Sequence, residues 1–177
     1  MPSRIYGFEK SGGTQASGAG VRVPPLALSP DGHWLVFGAI DRDGQAVLWL
    51  RAMDGTEARP LLGSANARYP FWSPDSRTIG FMTQGELKTT SVAGGAALKI
   101  MDLDNGDGGS WGRDGTILVS LSSGGMWRTS ADGRPLTAVP IDHPGADDAR
   151  LPWFMPDGRH FLMMFPAATH LETLRGW

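Results

Sequence analysis

No cysteine occurs in the 177 residues. That excludes disulfides, thiolate zinc sites and a cysteine nucleophile. Lysine is almost as scarce, with only Lys10, Lys88 and Lys99, and there is no run of Lys or Arg. With a formal net charge of −2, a basic stripe for nucleic acid is excluded. No segment approaches the eighteen or more apolar residues of a membrane-spanning helix, so direct membrane insertion is not expected. The opening MPSRIYGFEKSGGTQASGAG has no apolar core of signal-peptide length. The chain as written is expected to be soluble and to carry no address. Helical periodicity is missing as well. The best candidate, THLETLRGW near the end, is short for a helix in water. Catalytic signatures are absent: no G-x-S-x-G elbow, no Walker loop, no H-E-x-x-H and no kinase motif. The chain is therefore expected to be non-catalytic and to hold no cofactor, any catalytic domain lying in another part of a longer protein.

What is abundant is turn chemistry. Glycine numbers 25 and proline 13, against a hydrophobic fraction of 41%, a mixture that suits many short strands joined tightly. Asp31, Asp75, Asp114 and Asp157 recur 44, 39 and 43 residues apart, within LALSPDGHWLVF, PFWSPDSRTIGF, GSWGRDGTILVS and PWFMPDGRHFLMMF. A period of roughly 40–45 residues with several strands per unit is the signature of a β-propeller blade. In Ser29-Pro30-Asp31-Gly32 the proline fixes φ, the glycine closes the turn and the serine bonds back to the backbone. The other three turns each change one or two of these residues, and only the aspartate is shared by all four. A residue that recurs once per blade is a turn residue, so the four aspartates are assigned a structural role in local hydrogen bonding.

Each unit continues into a third strand and a second turn, at Asp54-Gly55, Gly94-Gly95 and Asp132-Gly133. Asp-Gly and Gly-Gly between apolar runs are hairpin signals. One unit is thus four antiparallel strands, A to D. The fold expected is all-β, with blades over residues 24–63, 68–101 and 108–141 and a partial fourth over 150–165, about three and a half blades in all. Residues 1–23 are read as a partly flexible N-terminal segment and 166–177 as a C-terminal tail. Ile5-Tyr6-Gly7-Phe8 offers one candidate strand, followed by the linker-like SGGTQASGAG. Because the fourth unit lacks its outer two strands, the expected ring is open or incomplete. An open end leaves an unpaired blade edge and an apolar face, which predicts self-association. Trp34, Trp49, Trp72, Trp111, Trp127 and Trp153 all fall in predicted strands. Blades pack face to face, so these large rings are expected to fill the wedges between them.

These residues carry a resemblance. YPFWSPDSRTIGF and LALSPDGHWLVF resemble the WD-repeat-like blades of TolB-type propellers. GGSWGRDGTILVS followed by GGMWRTSADG, and LPWFMPDGRHFLMMF, are similar to the propellers fused behind bacterial serine/threonine protein kinases. The resemblance covers about residues 24–165. It implies a propeller that acts as a sensor region of a receptor-like kinase or as a TolB-type envelope component, sited outside the cytoplasmic membrane.

Few residues stand out for function. His33, His143, His160 and His170 show no metal-ligand spacing, and His33 and His160, which follow blade turns, are read as packing at strand starts. The acidic stretch from Asp102 to Gly109 fails the EF-hand pattern, since Asp107 stands where glycine is required and Arg113 where glutamate is. Aligned on the turn aspartates, Arg68, Asp107 and Arg150 share one place just before strand A, with Pro24 there in the first blade; Arg68 and Arg150 share an Ala-Arg-x-Pro context. Two arginines and an aspartate on one rim make a candidate contact for an acidic peptide or ligand. Two classes of function follow: a module that binds protein or peptide through its rim, or an accessory propeller that steers substrate to a kinase or prolyl-peptidase-like hydrolase domain elsewhere in a longer chain.

Overall fold

Each repeated turn closes because its aspartate occupies donors that the turn leaves free. In the first, Asp31 Oδ1 accepts from the Ser29 hydroxyl and from the His33 amide at 3.0 Å, while the Trp34 amide donates to Ser29 Oγ at 2.9 Å. The second repeats this with Ser73, Asp75, Arg77 and Thr78 at 2.6, 3.1 and 2.9 Å. The third and fourth lack the serine, yet Asp114 still accepts from the Thr116 amide and Asp157 from the amides of Arg159 and His160. At the turn's last position the backbone is left-handed in every blade: φ is 76° at Gly32, 59° at Ser76, 88° at Gly115 and 67° at Gly158. Serine is an unfavourable choice there. Its hydroxyl, however, accepts the Asp31 amide at 3.1 Å and so ties the second blade to the first.

The computed structural model describes residues 26–142, 146–165 and 171–175, the last as backbone. Four antiparallel sheets follow in chain order. The first holds β1 (Leu26–Leu28), β2 (Trp34–Ile40), β3 (Ala46–Ala52) and β4 (Ala58–Pro60). The second holds β5 (Arg68–Trp72), β6 (Thr78–Thr83), β7 (Glu86–Ser91) and β8 (Leu98–Asp102). The third holds β9 (Gly106–Trp111), β10 (Thr116–Leu121), β11 (Met126–Ser130) and β12 (Thr137–Ala138). The fourth holds β13 (Arg150–Phe154), β14 (His160–Met164) and β15 (Leu171–Arg175), preceded by a 3₁₀ turn at Ala146–Asp148. Every sheet is a simple meander, which a chain of two-residue turns produces without crossovers. No α-helix occurs among the described residues.

The fourth sheet corrects one expectation. Leu171–Arg175 is not a tail beyond the blade; it pairs with β14 from His160↔Arg175 to Met164↔Leu171. This blade therefore has three strands, where two were expected. The segment's two apolar residues, Leu171 and Leu174, stand three apart rather than alternating and so did not announce a strand, and it forms one because β14 presents a free edge. The expected N-terminal strand at residues 5–8, the linker after it, and Pro24 lie outside the described residues.

The sheets stack face to face through three apolar seams. Val36, Leu48 and Leu50 meet Trp72, Ile79 and Phe81 in the first. Phe71, Met82 and Leu87 meet Ile117, Val119 and Leu121 in the second. Leu118 and Met126 meet Phe161, Met163 and Phe165 in the third. The middle strands β6 and β10 are buried on both faces, which is why they read as unbroken apolar runs rather than alternating ones. Each buried large apolar side chain contributes about 1.5–3 kcal/mol. Strands β1, β5, β9 and β13 contact one another in that order and form the inner edge of the stack, but the fourth sheet does not close onto the first. The architecture is an incomplete, open propeller.

The tryptophans follow the seams only where a seam exists. Trp72 is buried, and Trp34, Trp111 and Trp127 pack against the cores. Trp153 is 61% exposed, because the outer face of the last sheet has no neighbour. The expectation that all six would fill wedges fails there for that reason, and it fails at Trp49, which shares the first sheet's outer face with Phe37 and Leu26 and joins none of the three seams.

Candidate functional site

The inner strands of blades two to four share an irregularity at the place the sequence alignment singled out. Between Arg68↔Met82 and Phe71↔Gly80, β5 advances three residues while β6 advances two. Between Arg150↔Met164 and Trp153↔Leu162, β13 does the same against β14. In the third blade β9 gains one residue between Gly106↔Leu121 and Gly108↔Ser120. Each is a β-bulge, which follows the rim residue at Arg68 and Arg150 and contains it at Asp107. Bulges of this kind re-aim side chains at sheet ends and rims.

The bulges force left-handed backbone. Tyr69 and Leu151, the residues after Arg68 and Arg150, both have φ near 51°. That conformation is uncommon for bulky side chains and costs on the order of 1–3 kcal/mol. Gly108, after Asp107, has φ 152°, and a Cβ there would lie 2.8 Å from the Leu151 Cα. Glycine in the third blade is thus required by the next blade's bulge. The shared Ala-Arg-x-Pro context was the visible trace of the bulge, since proline fixes one of its residues; the extended backbone usual before proline is overridden at Tyr69 and Leu151. The strained residue itself left no signal in the sequence.

Of the three rim candidates, the structure joins two. Asp107 Oδ2 accepts from the Arg150 guanidinium and, at 2.8 Å, from the Ser122 hydroxyl. Both charged side chains are mostly buried, at 20% and 27% exposure. The pair spans the seam between the third and fourth blades and is supported by the Leu151 amide on Ser120 Oγ and the Phe154 amide on Ser110 Oγ. Arg68 is exposed and makes no hydrogen bond or ion pair among the described residues. The trio is therefore not one anion site. Arg150 and Asp107 neutralise each other, and Arg68 alone presents a charge to solvent.

Asp31, Asp75 and Asp157 keep strongly acidic carboxyls. The Ser29 and Ser73 hydroxyls, ahead of the neighbouring amides, hold Asp31 and Asp75 below the ordinary carboxylate range. The Arg159 amide, then the His160 ring and amide, lower Asp157 to about 2. These are signs of carboxylates held as acceptors, which is the opposite of a proton donor's environment. His160 Nδ1 lies 2.5 Å from Asp157 Oδ2, and His33 Nδ1 lies 3.5 Å from Asp31 Oδ2. Both histidines hold their turn's carboxylate. His160 opens β14 with its side chain only 33% exposed, as expected of a residue packed at a strand start, whereas His33 is 80% exposed and does not pack there. Among the described residues no three His, Asp or Glu side chains converge as they do around a metal ion. His143 and His170 lie outside those residues.

A groove of about 690 Å³ opens at the far end of the third blade, between the turn at Asp114 and the turn at Asp132. Its polar walls are largely self-satisfied: Asp114 takes the Thr116 hydroxyl at 2.9 Å, and Asp132 takes the Ser130 hydroxyl and Arg134 Nε. No helix among the described residues is long and apolar enough to cross a membrane.

No family model matches this chain. It is 31% identical over 151 residues to an uncharacterized peptidase, YuxL, of Bacillus subtilis, a match that covers 74% of this chain and 20% of the peptidase. Among solved structures it resembles a TolB of Agrobacterium tumefaciens, with a TM-score of 0.70 at 16% identity, covering 84% of this chain and 59% of that one. It resembles TolB of Acinetobacter baumannii at a TM-score of 0.65 and 12% identity, covering 84% and 39%. It also resembles a gluconolactonase of Xanthomonas campestris at 0.64 and 17% identity, covering 91% and 59%. The chain thus spans a fifth of the relative it matches in sequence and well under two thirds of these structural neighbours. At such identities the structural likeness establishes the β-propeller fold of TolB-like proteins.

Proposed function

We propose that this chain is a non-catalytic β-propeller module that binds an acidic protein or peptide segment along its inner rim. The observation that carries the reading is the repeated bulge: the left-handed backbone at Tyr69 and Leu151 is a cost that the fold bears at the rim, and in the second blade it leaves the exposed Arg68 free to pair. A guanidinium with no internal partner binds a carboxylate bidentately at little reorganisation cost. As a module of this kind, the chain would serve as a sensor region of a receptor-like kinase or as an envelope component outside the cytoplasmic membrane.

Fluorescence polarisation with a labelled acidic peptide library tests it. Binding should weaken with salt and be lost in Arg68→Ala, while Arg77→Ala, at the repeated turn rather than at a strand A start, should leave it intact. Equal binding by both variants would refute the role given to the rim.

A second reading has its own support. The peptidase match favours an accessory propeller that guards or feeds a hydrolase domain in a longer protein. Reading the gene in both directions beyond these codons distinguishes the hosts. An in-frame domain with a G-x-S-x-G elbow supports the hydrolase, and an in-frame kinase domain supports the sensor.

A further inference from the structure

Arg68 and Arg150 are one position of the repeat in two states. Each stands seven residues before its turn aspartate and opens the inner strand of its blade. Each is followed by a residue with φ near 51°, then a proline, inside a bulge of the same kind. The bulge aims side chains at the rim, so the local backbone presents the two guanidinium groups alike. They differ in what the preceding blade offers. Pro24 holds the repeat position there for Arg68 and carries no carboxylate. Asp107 holds it for Arg150, and its Oδ2 accepts from the guanidinium.

The filled position shows what chemistry it takes. The carboxylate oxygen on Arg150 also accepts the Ser122 hydroxyl at 2.8 Å. Ser122 is held in place by its own blade, its amide donating to the Asn105 carbonyl at 2.8 Å. A guanidinium from one blade and a hydroxyl from the other therefore converge on one oxygen, in a niche where both charged side chains are mostly buried.

Asp107 fills that niche imperfectly. Among the described residues one nitrogen of Arg150, Nη1, meets one oxygen of Asp107, Oδ2. A guanidinium carries five N–H donors in a fork that matches both oxygens of a carboxylate, and a side chain fixed in β9 does not deliver that fit. Its advantage is proximity, since a group on the same chain competes at an effective concentration on the order of millimolar or more. The seam itself does not depend on the pair. The Leu151 amide on Ser120 Oγ at 3.3 Å, the Phe154 amide on Ser110 Oγ at 2.9 Å and the cluster of Leu118, Met126, Phe161 and Met163 join the same two blades.

We infer that Arg150 is a second carboxylate-binding site of the rim, kept filled by the chain's own Asp107. Its external ligands are acidic side chains and small carboxylates, and that it serves the same partner as Arg68 rests on the acid-binding reading of the rim. Asp107 acts as an internal competitor. The rim holds one open arginine where the repeat provides two, and a vacated Asp107 position opens the second.

The test is made without Arg68. In an Arg68→Ala background, Asp107→Ala empties the niche and leaves room for formate, whereas Asp107→Asn unpairs the charge of Arg150 but keeps the niche filled. Thermal unfolding is followed in sodium formate and in sodium chloride of equal ionic strength. Asp107→Ala should lose stability and recover most of the loss in formate, with saturation. Asp107→Asn, and Asp107→Ala combined with Arg150→Met, should respond to formate no more than to chloride. The labelled acidic peptides should bind the Arg68→Ala, Asp107→Ala chain at least roughly tenfold more tightly than Arg68→Ala alone, circular dichroism establishing that both are folded. An Asp107→Ala chain that gains nothing from formate over chloride, whether folded or not, would overturn the inference, as would an equal gain in Asp107→Asn. A selective formate effect with no gain in peptide affinity would uphold the niche and refute the acidic-peptide reading of the rim.

Discussion

Replacing Gly109 by alanine puts a methyl group where the structure already holds a ring. A Cβ at Gly109 would lie 2.4 Å from Phe71 Cε1 and 2.7 Å from Cδ1. The ring cannot swing away. On its other side a Cβ at Gly80 would be 2.4 Å from Cε2 and Cζ, and Trp111 abuts it edge-on. Phe71 is 5% exposed and stands in a slot between two glycines, one from its own sheet and one from the next. Gly109 does not need a left-handed backbone. Without the ring, Gly109→Ala would stabilise by about 0.4–1 kcal/mol through the unfolded chain. With the ring in place, overpacking should reverse that sign and cost about 1–3 kcal/mol. For a chain of this size each kcal/mol moves Tm by about 2–4 °C. The assay is urea unfolding of the wild type, Gly109→Ala, Phe71→Ala and the double variant. Phe71→Ala alone should cost about 3–5 kcal/mol, and Gly109→Ala should cost nothing further in that background. Full stability of Gly109→Ala, or an equal penalty whether or not Phe71 is present, would refute the slot.

Two further outcomes follow from the turns. Asp75→Ala removes the acceptor of the Ser73 hydroxyl and the Arg77 amide. By analogy with loss of a helix cap it should destabilise by about 1 kcal/mol, measured by the shift in urea midpoint; no shift would deny the aspartate its turn role. Asp157 has its carboxyl depressed from 3.8 to about 2, so its contribution to stability is present above the unfolded value and is lost as pH falls from about 4 towards 2. The difference in Tm between the wild type and Asp157→Asn should shrink over that interval. A difference that stays constant down to pH 2 would contradict it.

The candidate site was legible only as a location. Alignment on the aspartates put Arg68, Asp107 and Arg150 at one point of the repeat, and all three lie at the starts of inner strands. Their relations were not legible. Whether Arg150 reaches Asp107 depends on the angle between two blades, and the bulge that turns the chain at Leu151 depends on how β13 meets β14. Neither is encoded within a window of a few residues. The same holds for Ser76, which reads as a poor turn residue until the Asp31 amide of the neighbouring blade is placed beside it.

The sequence by itself determined the unit. Turn chemistry is local: an aspartate two residues before the amide it accepts, with glycine or an equivalent at the left-handed position, folds whatever lies beyond it. Repetition of that unit at blade length then sets strand count, antiparallel pairing and the two-faced apolar character of β6 and β10. Only the tertiary structure decided how the units meet. It placed Leu171–Arg175 on the free edge of β14 and slotted Phe71 between glycines of two sheets. It also left Leu28 and Trp153 exposed at positions that are buried or half-buried in the other blades. Contacts between blades join residues some forty positions apart, and their outcome rests on which faces are brought together, a property of the assembled arc that no single repeat contains.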